Sequence, residues 1–305
     1  MTLDRALDAD ALETVKIDVD ALLVDYLEDC ATDLGRIDER APLLVHEISR
    51  LVAAGGKRLR PAFCIWAFRA AGGPEKPSSS GTPQQPIVRA AAALELLHTM
   101  ALIHDDLMDS AAERRGVEAS SPHLAGEALV RGLRIDPARF GDDAALLTGD
   151  LAAVLADRLF LTSGFDPAAI VRGLGPYHEM RIDMAAGQLL DVAGLASEPD
   201  LAGHAARLKG GSYTVEGPLM VGAALAGDRA DLREALRAFG GPLGEAFQLR
   251  DDLIDAEAVH GATRETVNEL VATARAALRE ATLQTTIDTE AASALDGLAV
   301  MVAMP

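Results

Sequence analysis

The sequence predicts an all-α protein that forms a single domain over residues 1–305. Apolar residues recur at three- and four-residue spacing through most of the chain, which is the pattern of helices with one buried face. No segment sustains an alternation of apolar and polar residues, so no β-sheet is expected. The composition agrees, because alanine and leucine favour helices and aromatic residues make up only 4% of the chain.

The helical spacing defines the elements in order, and stretches rich in glycine and proline separate several of them. The predicted helices are 10–34, 41–54, 60–71, 87–110, 123–133, 142–162, 167–194, 200–226, 231–257, 262–282 and 289–303. The main breakers are GGPEKPSSSGTPQQP at 72–86, GLRIDPARFG at 132–141, GFDP at 164–167 and SEPD at 197–200. Because the helical pattern resumes directly after 72–86, that stretch is predicted to be a loop within one domain.

The charge and cysteine content narrow the partners and the compartment. The net charge of −19, from 28 basic and 47 acidic residues, repels nucleic acids, so no nucleic-acid partner is expected. Cys30 and Cys64 lack metal-ligand spacing and are predicted to be free thiols in a reducing compartment. No signal peptide and no run of about 18 uncharged apolar residues occurs, so a cytoplasmic protein without a membrane span is expected.

A cluster of acidic residues lies in the apolar stretch LIHDDLMDSAAERRG at 102–116. Asp105 and Asp109 are four residues apart, so they share one face of a helix, and Asp106 is offset from them by about 100°. Like charges at this spacing repel each other. Mg²⁺ is the expected compensating ion, because it prefers hard oxygen ligands and is often held by one or two carboxylates and phosphate oxygens.

The same pattern recurs at 247–255, in FQLRDDLID, where Asp251 and Asp255 share a face. Apolar neighbours such as Ile103, Met108, Leu253 and Ile254 predict buried flanks around both clusters, where an uncompensated carboxylate costs several kcal/mol. We therefore expect two carboxylate walls that face each other across a cavity and are bridged by metal ions. Such walls could hold a diphosphate and make it a better leaving group.

Several basic residues lie beside glycine pairs or beside the first acidic cluster, where they could bind phosphate. They are Lys57 and Arg60 in GGKRLRP at 55–61, Arg114 and Arg115, and Lys209 in RLKGG at 207–211. Lys57 and Arg60 are expected one turn apart at the start of a helix. Each residue alone would more often be an ordinary surface cation, and His98 alone would more often be a core histidine.

Together these residues resemble the trans-isoprenyl diphosphate synthases, or polyprenyl synthetases. GGKRLRP, LLHTMALIHDDLMDSAAERRG, LLTGD, Lys209 with YTVEGPL, and FQLRDDLID occur in that family's order and approximate spacing. The resemblance covers about residues 40–256, and YTVEGPL is most similar to bacterial geranylgeranyl diphosphate synthases.

The resemblance implies a bundle of long helices around a central cavity, usually as a homodimer. It implies a prenyltransferase that condenses isopentenyl diphosphate head-to-tail with an allylic diphosphate, with Mg²⁺ as cofactor, as three ions with bound diphosphate. The product would be a polyprenyl diphosphate of about twenty carbons or more. Met100 and Ala101, which precede the first acidic cluster, are not aromatic and so should not stop chain growth at fifteen carbons.

The resemblance also implies a role for each matched residue. Asp105, Asp109, Asp251 and Asp255 would ligate Mg²⁺. Lys57, Arg60, His98 and Arg115 would bind isopentenyl diphosphate, and Arg114 and Lys209 would bind the allylic diphosphate. Gln248 would lie near the reacting carbons, and Asp105, Asp106, Asp109, Lys209, Gln248 and Asp251 would form the catalytic set.

Two departures from the family pattern stand out. The family usually has Thr or Ser directly after the lysine, and this chain has Gly210. The family also continues after the second acidic cluster with a Gly- and Lys-rich lid, whereas here LIDAEAVHGATRETV follows at 253–267. Either the protein lacks the lid or a stretch is omitted from this sequence. A true loss of the lid would impair activity, because a flap that excludes water would be missing.

Two other functions stay open. A class I terpene cyclase also ionises a diphosphate with Mg²⁺, but its cavity usually relies on aromatic faces, and this chain has only one Trp, three Tyr and seven Phe. A catalytically impaired regulatory subunit of a heteromeric prenyl synthase is the other alternative. Gly210 and the missing lid would fit that role.

Overall fold

The computed structural model is built almost entirely of helices, and it confirms the predicted all-α fold class. It describes residues 4–74, 85–195, 198–227, 229–254 and 263–303. The helices are α1 Asp4–Ile37, α2 Pro42–Ala53, α3 Leu59–Ala70, α4 Pro86–Met108, α5 Ser120–Val130, α6 Pro137–Leu161, α7 Pro167–Val192, α8 Pro199–Ala206, α9 Gly217–Ala226, α10 Ala230–Ile254, α11 Arg264–Gln284 and α12 Thr289–Val302. A π-helical segment, Arg207–Glu216, joins α8 to α9.

Several helices begin where the sequence offers a cap. Asp136 accepts a hydrogen bond from the backbone N–H of Arg139 at 2.9 Å, and Pro137 starts α6. Asp166 does the same for α7, with Ala169 N at 3.0 Å. A side-chain acceptor satisfies one of the unpaired N–H groups of the first turn, and proline fixes the first helical φ. These local signals explain why the predicted helix start at 167 agrees with the structure, whereas α6 begins at Pro137 and not at the predicted 142.

A short β-hairpin follows α4, so the expectation of no sheet was wrong at this place. Strand β1, Glu113–Arg114, pairs antiparallel with β2, Val117–Glu118. The two turn residues, Arg115 and Gly116, have φ values of +54° and +75°, as a two-residue type I′ turn requires. Two-residue strands are too short to produce a periodic pattern, which is why the sequence did not predict them.

The chain divides into two compact units. The first unit comprises Met1–Lys16, Leu59–Ile87 and Gly164–Pro305, and the second comprises Ile17–Arg58 and Val88–Ser163. The prediction of one domain over residues 1–305, with helices around a central cavity, therefore stays a prediction.

Tight helix packing forms the core of the first unit. Phe63, Tyr177 and Phe239 are completely buried there. Helices α3 and α9 approach closely, because a Cβ added to Gly222 would overlap the carbonyl oxygen of Cys64. Glycine is thus required at this crossing, and Cys64 is a buried free thiol, as predicted.

The second unit has its own apolar core. Its centre includes Ile103 from α4 and Leu124 from α5, both completely buried, and Leu51 from α2. Ala144 and Ala145 of α6 complete this cluster. The last turns of α4, which carry the first acidic cluster, are therefore anchored on a packed side of the helix.

Within the described part of the chain, one helix is long and apolar enough to cross a membrane. This helix is α4, whose most apolar window has a mean hydropathy of 1.4. In the protein, 67% of that window is buried by other residues. Burial of that kind is also found in core helices of globular proteins, and the absence of a membrane span stays a prediction.

Candidate active site

The first acidic cluster lies at the C-terminal end of α4. Asp105 is half-buried, and Asp109 is exposed immediately after the last helical residue. Ser110 adopts a left-handed φ of +52°, and the backbone N–H of Ala111 donates to the carbonyl of Asp106 at 2.8 Å. These are features of a Schellman cap, which closes the helix end. The cap fixes the backbone on which both carboxylates are carried.

Asp106 is directed into the protein and is only 3% exposed. Arg114 in β1 donates from Nε to Asp106 Oδ1 at 2.6 Å and from Nη2 to Asp105 Oδ2 at 3.2 Å. Burial raises the pKa of Asp106, although the hydrogen bond and charge of Arg114 act in the opposite direction. Among the described residues, Asp106 Oδ2 has no hydrogen-bond partner. Asp106 therefore holds Arg114 beside Asp105.

The flanks of the two acidic clusters are less buried than expected. Ile103 is completely buried, but Met108 is 49% exposed. Around the second cluster, Leu253 is 37% exposed and Ile254 is 59% exposed. These three residues lie in the last described turns of their helices. The prediction of buried flanks was therefore wrong for them.

The glycine-containing loop at 55–58 precedes α3. The sequence predicted Lys57 and Arg60 in the first turn of a helix, but α3 begins only at Leu59. Gly55 and Arg58 have φ values of +93° and +52°, which are incompatible with a right-handed helix. Lys57 is exposed on this loop, while Arg60 lies in α3.

His98 and Arg115 come together at the same loop. The Nη2 atom of Arg115 lies 3.0 Å from His98 Nε2, and its Nη1 atom donates to the carbonyl oxygen of Gly55. The type I′ turn of the hairpin directs Arg115 to this position. Three of the four residues assigned to isopentenyl diphosphate, including Lys57, are thus carried by one small region of the second unit.

Arg60, the fourth residue, belongs to the first unit. Its Nη2 atom donates to Thr214 Oγ1 at 2.7 Å, and its guanidinium lies 4.7 Å from the centre of the Tyr213 ring. A cation over an aromatic face is stabilised by the ring quadrupole. Thr214 and Tyr213 belong to the π-helical segment, so Arg60 ties α3 to that segment.

Lys209 is carried by the π-helical segment and pairs with Asp191 at the C-terminal end of α7. A Cβ added to Gly187 would lie 2.5 Å from the Lys209 backbone nitrogen, so α7 touches the segment's backbone directly. Ser212 also donates to Asp183 of α7 at 2.7 Å. π-Helical turns are often found at functional sites. Here the segment fixes the position of Lys209 against α7.

Gly210 follows Lys209 and lies against Gln248 of α10. A Cβ added to Gly210 would overlap Gln248 Oε1 and lie 2.8 Å from its Cδ atom. The space that a Thr or Ser side chain would use is therefore filled by the amide of Gln248. This contact gives a physical reason for glycine where the family usually has a hydroxyl-bearing residue.

In the second acidic cluster, Asp251 forms an ion pair with its neighbour Arg250, whose Nε atom lies 3.1 Å from Asp251 Oδ1. Arg250 is 8% exposed and also donates to the carbonyl oxygen of Val302 at 3.3 Å. Its guanidinium lies 4.8 Å from the centre of the Phe247 ring. Arg250 therefore fixes Asp251 to the core of the first unit.

The predicted metal ligand Asp255 and the side chain of Asp252 lie outside the described residues. Within the described ranges, no group of three or more His, Cys, Asp or Glu side chains is arranged to hold a metal ion. Asp105 and Asp109 supply two carboxylates one turn apart. Such a pair fits Mg²⁺, which keeps several waters and binds through one or two carboxylates plus phosphate oxygens.

Residues 41–269 match the sequence model of the polyprenyl synthetase family. The chain belongs to this family. The matched range contains both acidic clusters, the glycine-containing loop, the hairpin and the π-helical segment. The recognition made from the sequence motifs is therefore confirmed.

Named relatives agree with the family. The chain is 32% identical over 227 residues to the large subunit 1 of a heterodimeric geranylgeranyl pyrophosphate synthase of Arabidopsis thaliana, which covers 71% of this chain and 55% of that protein. It is 31% identical over 210 residues to a geranylfarnesyl diphosphate synthase of Aeropyrum pernix, covering 67% of this chain and 58% of the relative. The chain thus spans little more than half the length of these curated relatives.

A solved structure extends the likeness over nearly the whole chain. The geranylgeranyl pyrophosphate synthase of Corynebacterium glutamicum, complexed with isoprenyl diphosphate and magnesium, is 25% identical in sequence. The match covers 96% of this chain and 99% of that chain, with a TM-score of 0.85. This likeness supports the helical fold from the first helix to the last.

Sequence reasoning missed several residues that hold the site together. Asp191 pairs with Lys209, and Arg58 is buried between Asp20 and Glu95. Isolated acidic residues on long helices carry no periodic or motif signal that would reveal these partners. Arg58 lies within GGKRLRP, close to the predicted anion ligands Lys57 and Arg60. Because all three residues are positively charged, the sequence does not show that Arg58 has a different role.

Proposed function

We propose that this polyprenyl synthetase condenses isopentenyl diphosphate head-to-tail with an allylic diphosphate to give a product of about twenty carbons or more. The observation that best supports this proposal is the arrangement of charged side chains at the C-terminal end of α4. Asp105 and Asp109 lie one turn apart, and the hairpin brings Arg114 to Asp105 at 3.2 Å. Carboxylates that can bind metal ions thus lie beside a cation that can bind phosphate. This combination suits an enzyme that binds a diphosphate and releases it.

The residues at the loop and the hairpin would bind the second substrate. Lys57 is exposed, and Arg115 lies 3.0 Å from His98. Their donors would hold the diphosphate of isopentenyl diphosphate, which does not leave in the reaction. Arg115 is suited to this because a planar guanidinium can bind phosphate through two parallel hydrogen bonds.

The residues of the first unit would act on the allylic diphosphate and the reacting carbons. Lys209 would neutralise charge on the departing group, and Gln248 would lie near the carbons. The allylic C–O bond breaks and the electron pair leaves with the diphosphate. The double bond of isopentenyl diphosphate then attacks the allylic cation, and a proton is lost to the released diphosphate.

Mg²⁺ is proposed as the cofactor, with Asp105, Asp109, Asp251 and Asp255 as ligands and three ions with bound diphosphate. When bound, it neutralises charge on the leaving oxygens. The fit of the donor set supports this, since all four are hard carboxylate ligands. The related Corynebacterium glutamicum structure is a complex with isoprenyl diphosphate and magnesium, which also supports it.

We further propose a homodimer in the cytoplasm without nucleic-acid partners. The acidic sequence, with a net charge of −19, supports the absence of a nucleic-acid partner. The exposed apolar residues of α6 support the homodimer, as argued below. The buried free thiols Cys30 and Cys64 are compatible with a reducing compartment.

The function is tested with radiolabelled isopentenyl diphosphate and allylic primers of increasing length, with and without Mg²⁺. We expect metal-dependent products that, after dephosphorylation, migrate as alcohols of about twenty carbons or more. Asp105→Ala and Asp251→Ala should each lower kcat at least about a hundredfold, because a charge-stabilising group is lost. Asp143→Ala is the control, since Asp143 is 64% exposed on α6 and pairs only loosely with Arg139 at 3.6 Å.

Each alternative outcome has a clear reading. Hydrocarbon release from an allylic diphosphate alone would identify a terpene cyclase. Binding of Mg²⁺ and diphosphate without turnover by the purified homomer would identify a regulatory subunit. A sole product of fifteen carbons would contradict the proposed chain length, and full activity of Asp105→Ala would contradict the metal site.

A further inference from the structure

Arg58 is a buried arginine in the middle of the glycine-containing loop. The residue is only 3% exposed, although it lies directly beside the exposed Lys57. Its backbone φ of +52° is in the left-handed region, which is unfavourable for a residue other than glycine. Such a conformation persists where the surroundings over-determine it. The contacts of the Arg58 side chain therefore hold this backbone conformation.

All three nitrogens of the Arg58 guanidinium are engaged. Nε donates to Asp20 Oδ1 on α1 at 2.7 Å, and Nη1 donates to Glu95 Oε1 on α4 at 2.6 Å. Nη2 donates to the carbonyl oxygen of Val52 on α2 at 2.8 Å. The side chains of Arg58 and Glu95 are 1% and 4% exposed. The side chain of Arg58 thus connects the loop to α1, α2 and α4 within the second unit.

The charge of Arg58 is satisfied inside the protein. Burial lowers the pKa of Arg58, but Glu95 and Asp20 raise it by more, so the net shift is upward and the cation is retained. Because its side chain is only 1% exposed and each of its nitrogens donates to a carboxylate or a carbonyl, Arg58 is not available to bind a substrate anion. Any effect it has on substrate must pass through the backbone of the loop.

The loop contains Lys57 and contacts Arg115, which would both bind the diphosphate of isopentenyl diphosphate. A Cβ added to Gly56 would lie 3.0 Å from Arg58 Nη1 and 3.1 Å from Arg115 Nη1, so both guanidiniums lie close to Gly56. The carbonyl of Gly55 accepts a hydrogen bond from Arg115, and Arg115 contacts His98 at 3.0 Å. The position of the Gly55 carbonyl therefore orients Arg115.

We propose that Arg58 is a positioning residue for the diphosphate of isopentenyl diphosphate, and this inference rests on the proposed function. The buried guanidinium fixes the left-handed turn, the turn fixes the Gly55 carbonyl, and that carbonyl orients Arg115. Lysine cannot replace Arg58. The planar guanidinium donates to three acceptors that lie in different directions, and a single ammonium group on a flexible side chain cannot reach all three in the same geometry. The prediction is a selective loss of affinity for one of the two substrates.

The test compares Arg58→Lys and Glu95→Gln with the wild-type full chain. Both variants should raise KM for isopentenyl diphosphate, Arg58→Lys by about tenfold or more, because a misplaced ligand loses binding energy. The kcat and the KM for the allylic diphosphate should change by less than about threefold. Hydrogen exchange of the 51–60 peptide should also rise in Arg58→Lys, because the loop loses its anchor.

Arg158→Lys is the matched control in the same unit. Arg158 also makes several side-chain hydrogen bonds, to Tyr26 Oη at 3.0 Å and to Cys30 Sγ at 2.7 Å, but it lies on α6 away from the loop. We expect unchanged KM values for both substrates in this variant. It measures the general effect of losing a multiply bonded arginine from the second unit.

The outcomes separate the inference from the proposed function. Arg58 is not a positioning residue if a folded Arg58→Lys raises both KM values equally, or raises neither beyond Arg158→Lys. If Arg58→Lys does not fold, the same comparison applies to the near-isosteric Glu95→Gln. A wild-type chain that neither binds nor turns over isopentenyl diphosphate contradicts the proposed function, and hydrogen exchange then still decides whether Arg58 holds the loop.

Discussion

The side chain of Gln248 determines which residue type fits at position 210. The amide of Gln248 occupies the volume into which a Cβ at position 210 would project. The sequence alone presents Gly210 only as a missing hydroxyl. The structure adds that any side chain at this position must displace the Gln248 amide, which is proposed to lie near the reacting carbons.

We predict that Gly210→Ala lowers kcat by about tenfold while the free energy of unfolding changes by less than about 1 kcal/mol. The reason is that Gln248 Oε1 is the end of a flexible side chain, which can move at small cost but then leaves its position. Steady-state kinetics and thermal denaturation measure the two effects. Gly210→Ser should retain more activity than Gly210→Ala if a hydroxyl can substitute for the amide.

The control for this pair is Gly175→Ala in α7. Nothing lies within 4 Å of a Cβ added to Gly175, so the substitution meets open space. It should leave kcat unchanged and stabilise the helix by about 0.5–1 kcal/mol, because alanine is a better helix former than glycine. Wild-type kcat in Gly210→Ala would show that the Gln248 amide is not needed at its observed position.

At this scale the sequence predicted residues whose chemistry and spacing repeat. Asp105, Asp109 and Asp251 were predicted as metal ligands because two similar clusters lie in apolar helical sequence. Asp191 and Glu95 were not found, because a single acidic residue on a long helix has no distinguishing neighbour in the sequence. Their roles depend on which cation the fold brings to them, and that information is tertiary.

At the scale of elements, the β1–β2 hairpin is the part that local reasoning could not predict. Its position depends on Glu47 of α2, which is 2% exposed and accepts a hydrogen bond from Ser120 Oγ at 2.6 Å. Arg50 donates to Glu47 Oε2 at 2.8 Å and to the carbonyl oxygen of Glu118 in β2 at 2.8 Å. This network attaches the hairpin to α2 and α5, and so positions Arg114 and Arg115.

We predict that Glu47→Gln destabilises the protein by about 2–3 kcal/mol, because a buried, charge-assisted hydrogen-bond network loses its central charge. Thermal denaturation measures the stability, and hydrogen exchange at 113–118 should increase. Glu127→Gln is the control, since Glu127 pairs with Arg131 at 2.9 Å on a more exposed helix face. That pair should contribute less than about 0.5 kcal/mol. Equal effects in the two variants would contradict the anchoring role of Glu47.

The helices themselves were predictable because each carries a repeated signal of its own. Three- and four-residue spacing identified α3, α4 and α7, and Asp166 with Pro167 marked a start. The π-helical segment was read as part of one helix over 200–226, because a segment of ten residues is too short to show a period of its own. The close packing of its glycines against α10, and of its Lys209 backbone against Gly187 of α7, is visible only in three dimensions.

For the whole molecule, the sequence predicted the fold class but not the division into two compact units. Helical periodicity shows that each helix has a buried face, yet it does not say which helix covers that face. Helices α1 and α4 each contribute residues to both units. In α1 a single periodic pattern continues through residue 16, so the sequence alone has no break there. The boundary after residue 87 lies at the start of α4, directly after the predicted loop at 72–86.

The proposed homodimer is tested at the exposed apolar face of α6. Leu147, Val154 and Leu161 are spaced seven residues apart, so they share one face of the helix, and they are 57%, 56% and 52% exposed. An apolar stripe of this kind is typical of a protein–protein contact, because its burial against a second copy removes apolar surface from water. We expect the wild-type chain to have the mass of a dimer by light scattering after size exclusion.

Val154→Glu should shift this protein to the mass of a monomer, because two carboxylates would be buried in a two-fold interface without compensating charge. Leu283→Glu is the matched control, since Leu283 is an apolar helical residue that is 89% exposed on α11. It should leave the dimer intact. A monomeric wild type would contradict the homodimer, and a dimeric Val154→Glu would place the contact on another face. In either case the substrate assays stay interpretable, because Val154 is not among the residues assigned to substrate or metal.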